Sequence, residues 1–258
     1  MKTPILTCSL NSGSNGNCIY VEKGDTRLLF DAGISGKKAA TRLADHGRDI
    51  GEATALVVSH NHADHAAMAG VYQRKFGVPI YVTQPTFEWI EPHIGKTSDV
   101  RHFEAGDVLT IGALQIETIP TPHDGVDGVI FVVTDGRRRL GIFTDLGHPF
   151  PELGAALADI DLLYMESNYD PDLLRTGGYP PHLKARIRGR GGHLSNRESA
   201  LVVRDHCSDR LQTLVLAHLS ESNNEPEIAL ETHRHVSGCG AEIHVASRYG
   251  PSSMFTIE

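Results

Sequence analysis

The chain has few of the features that would tie it to a membrane, a secretory route or a disulfide scaffold. Its first ten residues, MKTPILTCSL, contain no long apolar stretch, which argues against a signal peptide or a membrane span. Cysteine is scarce. Cys8, Cys18, Cys207 and Cys239 form no CxxC pair and no spacing suggestive of a disulfide framework, so a reducing cytoplasm is the simpler expectation. There are no repeats, no low-complexity tract and no obvious linker. Positive charge is also short: 24 Lys and Arg against 32 Asp and Glu leave a net charge of -8, so any contact with nucleic acid must use a local basic patch.

What is present is an ordinary globular balance, 40% apolar and 22% charged, over 258 residues. That length suits one large domain or two small ones with a sizeable core. Apolar runs at 17–22, 26–30, 54–58, 79–83, 114–119, 129–134, 139–143, 160–165 and 212–217 read as strands. Helices are expected at 37–46, 66–76, 152–158, 196–206 and 225–236. Ser195 with Glu198, and Asn224 with Glu227, fit capping boxes, and Gly238 fits a helix stop. Strand-rich stretches with helices dispersed through both halves point to two sheets, each covered by helices.

The residues just past the strands are the informative ones. TRLLF runs into Asp31, TALVV into Ser59 and His60, LQIETI into PTPHD with His123, RLGIF into Thr144 and Asp145, LLYM into Glu166, and QTLVLA into His218. Loops held by a rigid sheet can bring such groups to one edge. The segment SHNHADH is the densest case. In an extended stretch His60 and His62 point the same way and can grip one cation, while Asp64 and His65 lie further round the loop and reach a second. The bland alternative is a histidine-rich polar turn. Completed from distant sequence, one site would hold His60, His62 and His123, the other Asp64, His65 and His218. Asp145 and a water or hydroxide would bridge them, since a carboxylate has two oxygens to share. Asp124 and His148 compete for the more distant assignments. Imidazole with carboxylate suits two divalent ions, Zn²⁺ first and Mn²⁺ as the alternative.

HNHADH, PHD, TDLG and AHLS, in this order and spacing, resemble the metallo-β-lactamase fold superfamily. SGSNGN (12–17), LLFDAG (28–33), ESNYD (166–170), GHLSN (192–196) and HLSESNN (218–224) resemble its YycJ/WalJ subgroup. The resemblance covers nearly the whole chain. It implies an α/β fold, a four-layer αββα sandwich, as a single domain over 1–258 with two pseudo-symmetric halves at about 1–120 and 121–258. Only 48 positions separate Asp145 from His193, too few for the β-CASP insertion of ribonuclease J-type enzymes, and no glycine- and proline-rich arm like that of full-length ribonuclease Z is seen. The commonest zinc β-lactamases have cysteine where Asp145 stands, which argues against antibiotic hydrolysis.

The expected chemistry is phosphodiester hydrolysis. Two cations about 3.5–4 Å apart position the attacking and leaving oxygens and lower the pKa of bound water toward roughly 7. Metal-bound hydroxide, oriented by Asp64 or Asp145, attacks phosphorus. His193 resembles the catalytic histidine of ribonuclease Z and is the candidate acid for the leaving group, with Glu166 holding its ring. Asp31 would accept a hydrogen bond from a ligand histidine's other N–H. Lys184, Arg186, Arg188 and Arg190, in a run with no acidic residue, suit a phosphate backbone, although a solvated loop would look the same. Ser14 and Asn15, in a glycine-rich turn, are further phosphate candidates. Arg137, Arg138 and Arg139 read as a hairpin tip. The YycJ/WalJ resemblance implies a DNA substrate and 5′-to-3′ exonuclease action. A small-molecule phosphodiesterase or a glyoxalase II-like thioester hydrolase would use the same ligands, and a non-catalytic binding protein would be expected to have lost some of them. A homodimer stays open.

Overall fold

The structure, a computed structural model, describes residues 3–258 and divides them into two compact units. The first comprises the described residues up to Pro120 with Gly125–Val129 and Ser247–Glu258. The second comprises Thr121–Asp124 and Ile130–Ala246.

The first unit opens with a meander of β1 (Ile5–Asn11), β2 (Cys18–Lys23) and β3 (Thr26–Phe30). It continues through α1 (Gly36–Ala44), β4 (Ala55–Val57), α2 (Ala63–Ala66), α3 (Ala69–Phe76), β5 (Ile80–Thr83), α4 (Gln84–Ile94) and β6 (Val100–Phe103). A hairpin of β7 (Val108–Ile111) and β8 (Leu114–Pro120) comes next. From β3 to β6 neighbouring strands run parallel, with Phe30 level with Val57 and Val57 with Tyr81. Helical crossovers between parallel strands leave both faces covered, which is why β3 and β4 are almost wholly buried. Leu29, Leu56, Val58, Tyr72, Val82 and Ile90 belong to the core between strands and helices.

The second unit contains β9 (Val129–Thr134) apart from its first residue, β10 (Arg139–Phe143), α5 (Pro151–Leu157), β11 (Leu162–Glu166), α6 (Pro171–Thr176), α7 (Pro181–Arg188), α8 (Asn196–His206), β12 (Thr213–Ala217), α9 (Pro226–Val236) and β13 (Glu242–Val245). β9 and β10 are antiparallel, and β10, β11, β12 and β13 are parallel neighbours. The register sets Phe143 level with Met165, and Met165 level with Leu216. The last strand, β14 (Phe255–Ile257), pairs with β1, so the C-terminal segment belongs to the first unit.

Two details correct the sequence reading. α8 does carry the capping box of Ser195 and Glu198, but α9 starts one residue later than a cap at Asn224 requires, with Glu225 at its N-cap and no side-chain cap. Asn224 is buried instead, donating to the carbonyls of Ser167 and Asn168 and exchanging hydrogen bonds with Asn196. A buried amide bonded to Ser167, Asn168 and Asn196 is better satisfied than one capping a helix at the surface. Second, the expected 66–76 helix is two pieces. The first piece begins at Ala63 and carries Asp64 and His65 on one helical turn rather than on an extended loop.

Candidate functional site

In the first unit, the ligand candidates lie just beyond the parallel strand β4. Val57 leads into Ser59 and His60, and α2 then turns His65 inward. The ring centroids of His60 and His62 lie 4.7 Å apart, and those of His60 and His65 4.3 Å apart. Asp31, the residue after β3, holds the group in place. Its carboxylate accepts from Ser59 N at 2.8 Å, Ser59 Oγ at 3.0 Å and His65 Nδ1 at 2.7 Å. With Nδ1 of His65 donating to a carboxylate, Nε2 is left with the lone pair. It lies 3.0 Å from Asn17 Nδ2 and 3.7 Å from Asp64 Oδ2. Asp31 itself has a φ of 64°, a left-handed conformation that a non-glycine residue adopts at a cost.

The turn SGSNGN joins β1 to β2 and leans on this loop. Asn17 N donates to Asp64 O at 2.7 Å, and Gly33 N to Asn17 O at 2.9 Å. A Cβ on Gly33 would stand 1.8 Å from Asp64 O, so only glycine permits this approach. Ser14 and Asn15 are exposed at the tip of the turn, and Asn15 Nδ2 donates to Arg248 O.

In the second unit each candidate comes from a different connection. Asp145 follows β10, Glu166 ends β11, His218 follows β12, His193 precedes α8, and His123 lies in the 121–124 segment. One donor atom from each of Asp145, Glu166, His193 and His218 lies within 4.8 Å of those of the others, a set able to hold a metal ion. His123 Nε2 is 3.5 Å from Asp145 Oδ1. Its Nδ1 donates to Gly192 O at 2.8 Å, which fixes the ring with Nε2 toward Asp145. His193 Nδ1 donates to Glu166 Oε1 at 2.7 Å and lies 3.6 Å from Asp145 Oδ1. Glu166 Oε2 accepts from the backbone of Leu146 and Leu194. Burial alone would raise the Glu166 carboxyl, but the charge and hydrogen bond of His193, with a further bond from His218, bring it down to about 2. Asp145 and His218 have φ values of 59° and 56°.

The basic run proves to be mostly helix rather than loop. α7 starts at Pro181, buries no residue and ends at Gly189. It also has an acidic partner that the local sequence does not show. Arg186 forms a two-pronged bond with Asp124, at 2.7 and 3.1 Å. Lys184 donates to Arg175 O, Arg188 to Lys184 O, and Arg190 lies 3.2 Å from His148 Nε2. The helix is tied to the histidine after it, since His193 N donates to Ile187 O at 2.9 Å. A Cβ on Gly192 would lie 2.1 Å from that same carbonyl, so this return also needs glycine. Arg138 pairs with the buried Asp161, and Arg137 and Arg138 donate their backbone N–H groups to Asp135, as a hairpin tip requires.

Several contributors have no signature in the sequence. Ser59, Asn17 and the Gly192 carbonyl orient histidines, and Asn168 Nδ2 reaches both His218 O, at 2.8 Å, and His218 Nδ1, at 3.2 Å. Asn17 and Asn168 lie inside SGSNGN and ESNYD, and their small amides next to glycine and a strand end are the only available signal.

Imidazoles and carboxylates gathered just past parallel strands, with their second nitrogens held by carboxylates and carbonyls, are the donor set of a metallo-hydrolase. The chain belongs to the metallo-beta-lactamase superfamily, whose family model matches residues 12–196, and its fold is that superfamily's α/β arrangement of two sheets flanked by helices. It is 34% identical over 222 residues to a Bacillus anthracis protein named exodeoxyribonuclease YycJ, a match covering 85% of this chain and 84% of the relative. It is also 34% identical over 224 residues to a Streptococcus pneumoniae protein named exodeoxyribonuclease WalJ, covering 85% and 83%. The metallo-beta-lactamase fold protein YhfI of Bacillus subtilis aligns with a TM-score of 0.78 at 20% identity over 99% of this chain and all of that one. Among the described residues no helix is long and apolar enough to cross a membrane.

Proposed function

We propose that the chain is a metal-dependent nuclease that hydrolyses the phosphodiester bonds of DNA, proceeding from an end in the 5′-to-3′ sense. The relatives named exodeoxyribonuclease support the substrate, and four cysteines without a disulfide framework support a cytoplasmic setting. The observation that carries the reading is the His193–Glu166 pair, 2.7 Å apart beside Asp145 and directly after a basic helix.

His60, His62, Asp64 and His65 of the first unit and His123, Asp145 and His218 of the second are the proposed ligands of two divalent cations, zinc first and manganese as the alternative. Their imidazole and carboxylate donors fit such ions. When bound, the cations supply Lewis acidity and water of lowered pKa. The remaining work falls to the chain. Glu166 accepts a hydrogen bond from Nδ1–H of His193 and stabilises the imidazolium, so Nε2 is the nitrogen that gives a proton to the leaving oxygen. Asp64 and Asp145 are the carboxylates proposed to orient the attacking water. Asp31 keeps His65 in the tautomer whose Nε2 bears the lone pair. Lys184, Arg186, Arg188 and Arg190 hold the phosphate backbone, with Ser14 and Asn15 as further contacts.

The test is a panel of end-labelled DNA and RNA given to metal-stripped protein with Zn²⁺ or Mn²⁺ restored. Replacing Arg186, Arg188 and Arg190 by glutamine should abolish DNA degradation and leave a small chromogenic diester largely unaffected. Equal loss of both activities would remove the nucleic-acid role of α7. DNA degradation that survives unchanged would also remove that role while leaving the nuclease reading in place. The small-diester or thioester reading would take its place only if end-labelled DNA and RNA both stay intact with metal restored.

A further inference from the structure

A cavity of about 550 Å³ opens at the end of the second unit's helical layer, lined among others by Arg204, Cys207, Asp209, Gln212, Cys239 and Gly240. Cys207 is the C-cap of α8, and Cys239 comes directly after Gly238, which ends α9 in a left-handed turn. Thirty-two positions apart in sequence, the two half-buried thiols line the same space and share a hydrogen bond. Nothing in the proposed hydrolysis uses them.

We propose that Cys207 and Cys239 are an oxidisable dithiol that closes to a disulfide by exchange with a small-molecule disulfide entering this cavity. Exchange needs a thiolate, a disulfide within reach and a second thiol able to attack the mixed intermediate. Burial, then the neighbouring Cys239, pushes the Cys207 thiol up to about 11, which suits Cys207 to the second, resolving step. Cys239 makes the first attack. Its thiolate forms a bond to one sulfur of RSSR, the S–S bond breaks, and RS⁻ leaves. Cys207 then gives up its proton and attacks the Cys239 sulfur, which breaks the mixed disulfide and releases the second RS⁻. Two cysteine thiols are oxidised, one RSSR is reduced to two RSH, and the two cysteine protons end on the two leaving thiolates. Cys8 and Cys18 are internal controls, since both are fully buried and burial drives both thiols upward, Cys8 to about 12.

The experiment uses the intact protein with graded oxidised glutathione at neutral pH, then alkylation and non-reducing peptide mapping. The expected result is loss of two alkylatable thiols and a single cross-linked peptide pair joining Cys207 to Cys239. The variant Cys207→Ser should stop at glutathione retained on Cys239. Three results would overturn the proposal: both thiols staying alkylatable while free glutathione disulfide is present in excess, a wild-type protein that accumulates only mixed disulfides, or a cross-link that involves Cys8 or Cys18.

Discussion

The two units present their candidate ligands in opposite ways. The first packs His60, His62, Asp64 and His65 into six consecutive positions behind one strand, steadied by one carboxylate, Asp31. The second draws Asp145 and His218, with the His193–Glu166 pair beside them, from four separate connections, and their proximity depends on the register of three parallel strands. A local cluster survives any error in strand pairing elsewhere. A distributed one does not, because a slip of one residue turns every side chain of a strand to the opposite face.

The strongest test of this contrast is to delete one ligand from each set. Asp145→Ala and His62→Ala should each lower DNA hydrolysis by more than the roughly 10–100-fold typical of losing an outer hydrogen-bonding partner. Turnover of end-labelled DNA with restored zinc or manganese measures this, and an unimpaired Asp145→Ala protein would take Asp145 out of the mechanism. Next in size, His193→Ala should cost roughly 10²–10⁴-fold in kcat while metal content, read by elemental analysis, stays at the wild-type level. A fall in metal content would make His193 a ligand and enlarge the second unit's set.

The supporting residues come next. Asp31→Ala in the first unit and Asn168→Ala in the second should each weaken metal affinity about 10–100-fold in a chelator competition. If only the Asp31 variant weakens, Asn168 serves the fold and not His218, and the second unit's ligands are held by strand register alone.

The smallest effect concerns acid stability. His233 is fully buried near Ser167 Oγ, and burial lowers its pKa from 6.5 to about 4. The unfolded chain therefore binds the extra proton between these values. Stability is fully present above 6.5 and falls as the pH drops toward 4, by about 2 kcal/mol at pH 5. In the first unit, Glu22 is buried, which opposes its charge, but hydrogen bonds from Arg48 and Tyr20 hold its carboxyl below the ordinary value. Its contribution is present above 4.5 and lost only as the pH falls further. Urea midpoints at pH 7 and pH 5 should separate wild type from His233→Leu, whose curve should be flatter across that interval. Equal slopes would show that His233 is not the group titrating.

Much of this architecture is legible in the sequence. TRLLF, VIFVVT and RLGIF are strands over the residues their apolar runs mark, and the α8 capping box lies where Ser195 and Glu198 put it. In β1 the apolar residues Leu6, Cys8 and Leu10 alternate with Thr7, Ser9 and Asn11, which reads as a half-buried strand at most, yet the polar face is buried too. α4 escapes a sequence reading because Pro92 sits inside the helix and obscures the helical spacing of Phe87, Ile90 and Ile94. The sequence shows which residue ends a strand but not which distant group accepts its proton. Hence Asp124 as the partner of Arg186, and Gly192 as the partner of His123, emerge only from the folded chain.

Asp31, Asp145 and His218 all take their positions with left-handed backbones. Glycine would relax such a position by about 1–2 kcal/mol relative to a residue with a Cβ, least for aspartate and more for histidine. At Asp31 the hydrogen bonds from Ser59 and His65 more than offset that relief, whereas at 218 the larger strain of a histidine leaves a more durable chain and a working one calling for different residues.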